Sequence, residues 1–214
     1  MRTLRSYAEG CPAAHALDLV GERWGLLIVR ELLFSPKRFT DLDTRLAGAS
    51  ASVLTQRLRE LVDGGIVARR KLPPPASAWV YELTDWGREL EPIVVALGRW
   101  GCRSPEFDNT RPVTPAAIAL GVKTFVDPDR VAKLPGPIEL QLDDEVFTVT
   151  PDGEQLAVTG TSGPSPVARI IARPASISPF LQGQRATRAS LRAHDIRTEG
   201  DVAAATALLD ALHP

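Results

Sequence analysis

One short segment carries polar side chains at the spacing of a helix face. In SASVLTQRLREL, which begins at residue 50, Leu54, Leu58 and Leu61 recur along one side of a predicted helix. Hydroxyl, amide and guanidinium groups form a second stripe at i, i+3, i+4 and i+7, made of Ser52, Thr55, Gln56 and Arg59. At about 100° per residue, the two stripes are centred roughly 90° or more apart. In a DNA major groove, Gln can read adenine, Arg can read guanine or phosphate, and Ser and Thr can reach either.

Basic residues are concentrated around this segment. Residues 35–71 contain four acidic and eight basic residues, the latter being Lys37, Arg38, Arg45, Arg57, Arg59, Arg69, Arg70 and Lys71. This segment therefore carries a net charge of +4 and the rest of the chain −5, since the whole chain carries −1. A basic patch on a nearly neutral protein is the electrostatic footprint of a nucleic-acid site. An ordinary solvated face has the same charge, so charge alone leaves both interpretations open.

The surrounding sequence predicts the elements that would position the polar stripe. Helices are expected at residues 13–20 and 24–34, separated by Gly21, and a short helix from an N-cap at Thr40 to Leu46. Ser50 or Ser52 caps the helix with the stripe, which should end at Gly64 and Gly65. Two helices joined by a short turn, the second with a polar outer side, indicate a helix-turn-helix.

A basic hairpin and an apolar helix follow. Extended runs at residues 66–72 and 78–83 flank PPPAS, which belongs at the hairpin tip because proline cannot donate ladder hydrogen bonds. Arg69, Arg70 and Lys71 would follow the DNA backbone or minor groove, with phosphate contacts added by Lys37, Arg38 and Arg45. Thr84 is expected to cap a helix whose apolar side either completes the core or forms a partner-helix seam, namely Leu90, Ile93, Val94, Leu97 and Trp100.

Three segments together resemble the HxlR-type transcriptional regulators: CPAAHALDLVGERWGLLIVRELLFSPKRFTDL, LTQRLRELVDGGIVARR and WVYELTDWGRELEPIVVALGRWG. The resemblance covers about residues 8–101. It implies a winged helix-turn-helix that binds double-stranded DNA as a homodimer, with the polar stripe on the recognition helix and residues 69–79 on the wing. The resulting DNA-contact candidates are Lys37, Arg38, Ser50, Ser52, Thr55, Gln56, Arg59, Arg69, Arg70, Lys71 and Ser77.

Cys11 has two interpretations. It matches an N-terminal cysteine that senses oxidants or electrophiles in some relatives of this family. A thiol before Pro12 and a helix N-terminus could have a lowered pKa and be reactive. The alternative is a small buried apolar residue at the dimer seam. Cys11 and Cys102 have no paired spacing, so a reducing cytoplasm is the expected compartment, and no apolar run approaches the roughly 18 residues of a membrane span.

The second half of the chain predicts an α+β domain with an antiparallel-type sheet and packed helices. After a linker at residues 103–113, Thr114 caps a helix that reaches about residue 126. Strands are expected at 138–142, 145–150, 154–159 and 167–172, a short helix at 177–183, extended pieces at 189–192 and 196–198, and a closing helix at 201–212.

This half loosely resembles the sterol carrier protein type-two fold, through DDEVFTVTPDG, ARIIARPASISPFLQGQ and IRTEGDVAAATALLDAL. The resemblance implies helices packed on a sheet around an apolar cavity for a lipid-like ligand. Candidate lining residues are Phe125, Phe147, Ile170 and Phe180. A solid domain that only supports dimerisation fits the same pattern, and these residues would then be core.

No pattern of residues predicts catalysis, a metal site or a cofactor. His15, His194 and His213 lack metal-ligand spacing, and there is no phosphate-cradling glycine loop. We therefore expect a non-enzymatic, sequence-specific DNA-binding regulator with no membrane partner, with domains at 1–102 and 114–214, the second able to sense an apolar small molecule. The alternative is a lipid or small-ligand carrier whose helical half serves only for dimerisation.

Overall fold

The computed structural model describes residues 6–163 and 165–212, which divide between two units, Met1–Val94 and Val95–Pro214. The division falls inside a helix, whereas the sequence placed a boundary after residue 102. Residues 103–113 contain no helix or strand. Within the described residues, no helix has both the length and the apolar composition to cross a membrane.

The first unit begins with four helices: α1 (Pro12–Val20), α2 (Gly25–Leu32), α3 (Phe39–Arg45) and α4 (Ala51–Asp63). Its core includes Ile28 of α2, Leu42 of α3 and the leucine side of α4. The Ser50 hydroxyl accepts a hydrogen bond from the Val53 N–H (3.4 Å), and Gly64 is the C-cap residue of α4. Gly65 follows at φ +72°, a conformation that favours glycine. Both ends of α4 therefore lie where its capping residues predict them.

The expected N-cap of α3 at Thr40 is wrong. The helix begins at Phe39, and the cap position belongs to Arg38. The Arg38 N–H donates to the Asp41 carboxylate (2.8 Å), so the side chain three residues ahead satisfies the backbone at this helix end. Thr40 lies inside the first turn, where its carbonyl accepts the Thr44 hydroxyl (2.9 Å).

An antiparallel hairpin follows α4, made of β1 (Val67–Lys71) and β2 (Trp79–Leu83). Val67 pairs with Leu83 and Lys71 with Trp79, which leaves the prolines at the tip as predicted. Lys37 adds an isolated antiparallel bridge to β2, because its N–H and carbonyl bond to the Tyr81 backbone (3.0 and 2.8 Å). We call this hairpin the wing.

The single helix expected after the wing is two helices, α5 (Asp85–Arg88) and α6 (Glu91–Gly101). Thr84 caps only α5, by accepting the Gly87 N–H (3.0 Å). Pro92 explains the break, because proline has no N–H for the carbonyl four residues earlier and its ring clashes with that carbonyl. Proline is tolerated in the first turn of a new helix, because a backbone N–H at that position would have no acceptor within the helix.

The second unit contains a five-stranded sheet in the order β5-β4-β3-β6-β7. Its strands are β3 (Ile138–Leu142), β4 (Glu145–Asp152), β5 (Gln155–Thr159), β6 (Ala168–Ala172) and β7 (Arg197–Gly200). The α+β class is confirmed, but the sheet is mixed, because β3 and β6 are parallel while the other pairs are antiparallel. The physical reason is a crossover: the β5–β6 connection carries the chain from one sheet edge to the far side of β3.

That connection is held on the polar side of the sheet. The Gly163 N–H donates to the Thr148 hydroxyl (2.7 Å), and the Ser162 hydroxyl donates to the Glu139 carboxylate (2.8 Å). Arg169 of β6 also pairs with Glu139 of β3. The Glu139 carboxylate is thus satisfied by hydrogen bonds although the residue is buried.

The helices of this unit are α7 (Pro115–Phe125), α8 (Pro128–Val131), α9 (Pro174–Ile177), α10 (Arg188–Ala193) and α11 (Val202–Asp210), with a 3-10 turn at Phe180–Gln182. Residues 189–192, expected to be extended, lie in α10. Thr187 and Ser190 cap one another's backbone N–H groups (2.8 and 3.1 Å), a local arrangement that starts a helix. The helix expected at 177–183 is instead the end of α9 and the 3-10 turn, and α8 was not expected.

Candidate nucleic-acid interface

The two stripes of α4 lie on different sides of the helix. Leu54, Leu58 and Leu61 are at most 2% exposed. Ser52, Thr55 and Arg59 are exposed, and Gln56 is half-buried. The helix therefore uses its apolar side for the core and exposes three of its four stripe residues to solvent.

The polar side of α4 is partly organised by its own hydrogen bonds. The Thr55 hydroxyl donates to the Ala51 carbonyl (2.7 Å), and the Ser52 hydroxyl lies 3.0 Å from that of Ser50. Gln56 Nε2 donates to Glu60 Oε1 (2.6 Å). A carboxylate can only accept, so the amide nitrogen of Gln56 must face Glu60, and this fixes the orientation of the amide group.

The two arginines of α4, Arg57 and Arg59, have different roles. Arg57 pairs with Glu60 and with Glu22 (3.1 Å), which ties α4 to the connection between α1 and α2. The Arg59 side chain is exposed and has no hydrogen-bond or ion-pair partner among the described residues. Arg59 therefore remains available for a phosphate or a base edge, whereas Arg57 is a structural ion pair.

Arg70 on the wing is engaged by a carboxylate. Its Nε and Nη2 donate to the two oxygens of Glu82 (2.8 and 2.9 Å). These side-chain hydrogen bonds raise the pKa of Arg70 and lower the pKa of Glu82. The bidentate pair braces β1 against β2 and offsets the charge that the sequence assigned to DNA contact.

The remaining wing candidates lie on exposed surface. The Arg69 guanidinium carbon lies 4.6 Å from the centre of the Trp79 ring and 6.0 Å from that of Tyr81. Lys71 and Ser77 are exposed. Ser77 adopts φ +40°, and its N–H donates to the Pro73 carbonyl (3.3 Å), which closes the tip of the wing.

The three basic residues before α4 differ in exposure. Lys37 is only 7% exposed, and its ammonium donates to the Ser35 hydroxyl (2.9 Å), which argues against a direct phosphate contact. Arg38 is exposed at the start of α3, and Arg45 is half-buried at its end. Of these three, Arg38 is placed best for a phosphate.

The predicted dimer seam corresponds to an exposed apolar side of α6. Ile93 is 50% exposed, Leu97 44% and Trp100 69%. Leu90 is half-buried and Val94 is buried. Three of the five predicted residues are therefore open to a second surface, and Val94 already packs within the chain.

Cys11 occupies the N-cap position of α1 and is partly exposed. The backbone N–H groups of Ala14 and Ala13 at the start of α1 lower the pKa of the Cys11 thiol. The cause is the set of unpaired N–H donors at a helix start, which stabilises a thiolate. Cys102, in contrast, follows α6, and its Sγ lies 3.2 Å from the Arg99 carbonyl oxygen.

The candidate ligand residues of the second unit are mostly packed. Phe147, Ile170 and Phe180 are at most 1% exposed, and Phe125 is half-buried. The Phe180 ring meets the His194 ring edge-on, with centroids 5.7 Å apart. These positions suit both a core and the wall of a closed apolar site, so ligand binding stays a prediction.

Metal-ligating side chains do not converge in the part of the chain that the structure describes, where no group of three or more His, Cys, Asp or Glu could hold a metal ion. His194 hydrogen-bonds instead to the Gln184 amide (2.9 Å). His15 is exposed on α1. His213 lies outside the described residues.

The structure brings in three residues that the candidate set omitted: Glu60, Glu82 and Trp79. Glu60 follows Gln56 by four positions, a spacing that predicts their contact along a helix. Glu82 and Trp79 reach Arg70 and Arg69 through the pairing of β1 with β2. These contacts follow only once the hairpin register is known.

Comparison with known proteins gives this arrangement a family. Residues 19–107 match the family described as "HxlR-like helix-turn-helix". The chain is 37% identical over 94 residues to YvaP of Bacillus subtilis strain 168, covering 44% of this chain and 87% of that protein. It is also 37% identical over 91 residues to sll1512 of a Synechocystis strain, covering 42% of this chain and 67% of that protein. Both relatives are named as uncharacterized HTH-type transcriptional regulators.

One similar solved structure is the redox regulator HypR in its oxidized form. It is 32% identical, with a TM-score of 0.43, and the match covers 45% of this chain and 100% of that one. The family match includes α2 to α6 and the wing, and YvaP is matched over 87% of its own length. On these matches, the chain belongs to the HxlR-like helix-turn-helix family.

Proposed function

We propose that this protein regulates transcription by binding specific duplex DNA sequences as a homodimer, with α4 as the recognition helix. The observation that carries the proposal is the exposed polar side of α4, opposite its buried leucines. A helix with this division can enter the major groove without disturbing the core. Arg38 and the basic residues of the wing would supply phosphate contacts.

Gln56 and Arg59 are the proposed sources of sequence discrimination. Both side chains lie away from the leucine side of α4, so truncating either should leave the core packed. Surface changes of this kind alter stability by about 0.5 kcal/mol or less. Removing a base-edge hydrogen bond costs roughly 1–3 kcal/mol of discrimination, about tenfold to a hundredfold in binding ratio.

The test is a competition titration on Gln56→Ala and Arg59→Ala. DNA selected by the unmodified protein from a random library competes with a scrambled duplex, and melting temperatures monitor folding. Each variant should fold normally and lose preference for the selected sequence. Arg192→Ala removes the same charge from an exposed position in the second unit and serves as the control. If both α4 variants discriminated as well as the unmodified protein, the polar stripe would be an ordinary solvated helix face.

The proposal extends to α6 and to the second unit. The exposed Ile93, Leu97 and Trp100 would be covered by a second copy of the chain, which would place two recognition helices about one DNA turn, roughly 34 Å, apart. The second unit would sense an apolar small molecule through the region of Phe125, Phe147, Ile170 and Phe180. A carrier with no DNA contact leaves the exposed polar side of α4 and the match to named regulators unexplained.

A further inference from the structure

The two faces of the wing differ in chemistry. Side chains directly opposite one another in an antiparallel pair lie on the same face, and successive residues alternate. Arg69 pairs with Tyr81 and Lys71 with Trp79, so these four share one face, which we call the aromatic face. Arg70 pairs with Val80 on the other face, which we call the braced face.

The aromatic face carries charge that no acid offsets. Neither Arg69 nor Lys71 has a carboxylate partner among the residues the structure describes, and both are exposed. The Arg69 guanidinium carbon lies over the exposed Trp79 ring, 4.6 Å from its centroid. A guanidinium held by the face of an aromatic ring does not use up its N–H donors, so these remain available for phosphate or groove acceptors.

The braced face has no comparable surplus of charge. Arg70 gives two hydrogen bonds to Glu82, and Val80 is 3% exposed. Arg70 keeps free N–H donors on Nη1, but a phosphate that reached them would lie beside the Glu82 carboxylate. The like charges of Glu82 and the phosphate make that contact unfavourable.

We infer that the wing contacts DNA through the aromatic face alone, with Arg69 and Lys71 as the phosphate or groove contacts and Trp79 as the residue that positions Arg69. Arg70 makes no DNA contact and serves the hairpin. This assignment rests on the proposed function. It reduces the basic residues of the wing that are predicted to contact DNA from three to two, and it adds Trp79 as a positioning residue.

The first experiment separates the two faces by salt dependence. Affinity for a 30-base-pair duplex is measured by fluorescence anisotropy across a range of salt concentrations. Arg69→Ala and Lys71→Ala should each flatten the slope of log affinity against log salt by about 0.9 for every phosphate that the variant no longer neutralises. The double variant Arg70→Gln/Glu82→Gln keeps the net charge, so it is the matched control, and its slope should equal that of the unmodified protein.

The second experiment tests whether Trp79 acts through Arg69. Trp79→Leu should weaken DNA binding severalfold, and Trp79→Phe should recover part of the affinity, because a phenyl ring still offers a face to the guanidinium. In the Arg69→Ala background, Trp79→Leu should cause no further weakening, since its partner is already gone. Arg69→Lys keeps the charge without the planar stack and should retain the salt slope but bind more weakly. Melting temperatures confirm that each variant folds.

Specific results would overturn the inference. If the Arg70/Glu82 double variant flattened the salt slope as much as Arg69→Ala does, the claim that only the aromatic face contacts DNA would be wrong, while the proposed DNA binding would stand. Fully additive effects of Trp79→Leu and Arg69→Ala on affinity would remove the positioning role of Trp79. If the unmodified protein bound no duplex, the proposed function would fail, and the assignment would fail with it.

Discussion

At the scale of residues, three glutamates determine which basic side chains are available to DNA. Glu22 and Glu60 hold Arg57, and Glu60 also orients Gln56. Glu82 holds Arg70. A count of basic residues between 35 and 71 therefore overstates the charge that faces a ligand. Carboxylates close to a guanidinium reduce its contribution to long-range attraction as well as its ability to form new hydrogen bonds.

Cys11 provides a prediction about pH. Because its folded-state pKa is lowered by the N–H groups of Ala14 and Ala13, thiolate forms at lower pH in the native chain than in the unfolded chain. The associated stabilisation is present above the unfolded pKa and is lost as pH falls through the folded pKa. In a Cys102→Ser protein, the rate of iodoacetamide alkylation increases with pH, and the midpoint of this increase should lie at a lower pH for native than for urea-unfolded chains. Coincident profiles would contradict the effect of the helix N-terminus.

At the scale of elements, the junction between β1 and α5 depends on one close approach. A Cβ on Gly87 would lie 2.1 Å from the carbonyl oxygen of Ile66, the residue before β1, so α5 approaches the chain there at a point where only glycine fits. The Gly87 N–H is also the donor to the Thr84 cap. This contact sets how the chain leaves the wing and enters the two helices that follow.

Gly87→Ala is therefore expected to destabilise the first unit by about 1–3 kcal/mol, the usual cost of forcing atoms into a packed site. Gly101→Ala is the matched control, because a Cβ there meets nothing within 4 Å and alanine favours helix. Urea unfolding of both variants measures the difference. Equal unfolding free energies for Gly87→Ala and the unmodified chain would show that the junction can relax.

The exposed side of α6 provides the second prediction at this scale. If a second copy covers Leu97 and Trp100, a charge at Leu97 becomes buried without a partner, at a cost of several kcal/mol. Leu97→Glu should give a monomer by light scattering at micromolar concentration and bind DNA more weakly. Phe107→Glu changes a similarly exposed apolar residue outside α6 and should leave the mass unchanged. A dimeric Leu97→Glu protein would place the interface elsewhere.

At the scale of the whole molecule, the basic segment and the five-stranded sheet lie in different units. The basic segment lies in the first unit, while the second unit contains a mixed sheet with a buried apolar side. The family match spans residues 19–107, so it covers α2 to α6 and the wing but not the five-stranded sheet. DNA binding and the sensing of an apolar molecule are thus proposed for separate units.

Ligand sensing predicts a thermal shift. A fluorescent fatty-acid analogue that binds the native second unit should stabilise it by about 2.7 kcal/mol at a hundredfold excess over Kd. If the analogue changes DNA affinity, DNA should change the affinity for the analogue by the same factor, because coupling between two sites is reciprocal. Phe125→Ala should weaken the effect at little cost to the core, since Phe125 is only half-buried. No shift with any chain length of the analogue would favour a solid supporting domain.

The sequence alone determined the features that a few consecutive residues contain. The leucine period and the Ser50 cap predicted α4, and Thr114 with Pro115 predicted the start of α7. Capping bonds and helix periodicity act within about four residues, so neighbouring letters contain the information. The failures at this scale were also local: at Thr40 the Asp41 carboxylate provided the cap, and at 189–192 the Thr187–Ser190 pair started a helix.

Only the tertiary structure decided which distant residues meet. Arg70 and Glu82 are 12 residues apart, and the hairpin register joins them. The Lys37 backbone pairs with Tyr81, which helps to place Lys37 in the interior instead of at a phosphate. The parallel pairing of β3 with β6 arises from a crossover that no strand pattern contains. Strand alternation predicts two faces for each strand, but the choice of partner strand depends on packing across the whole unit.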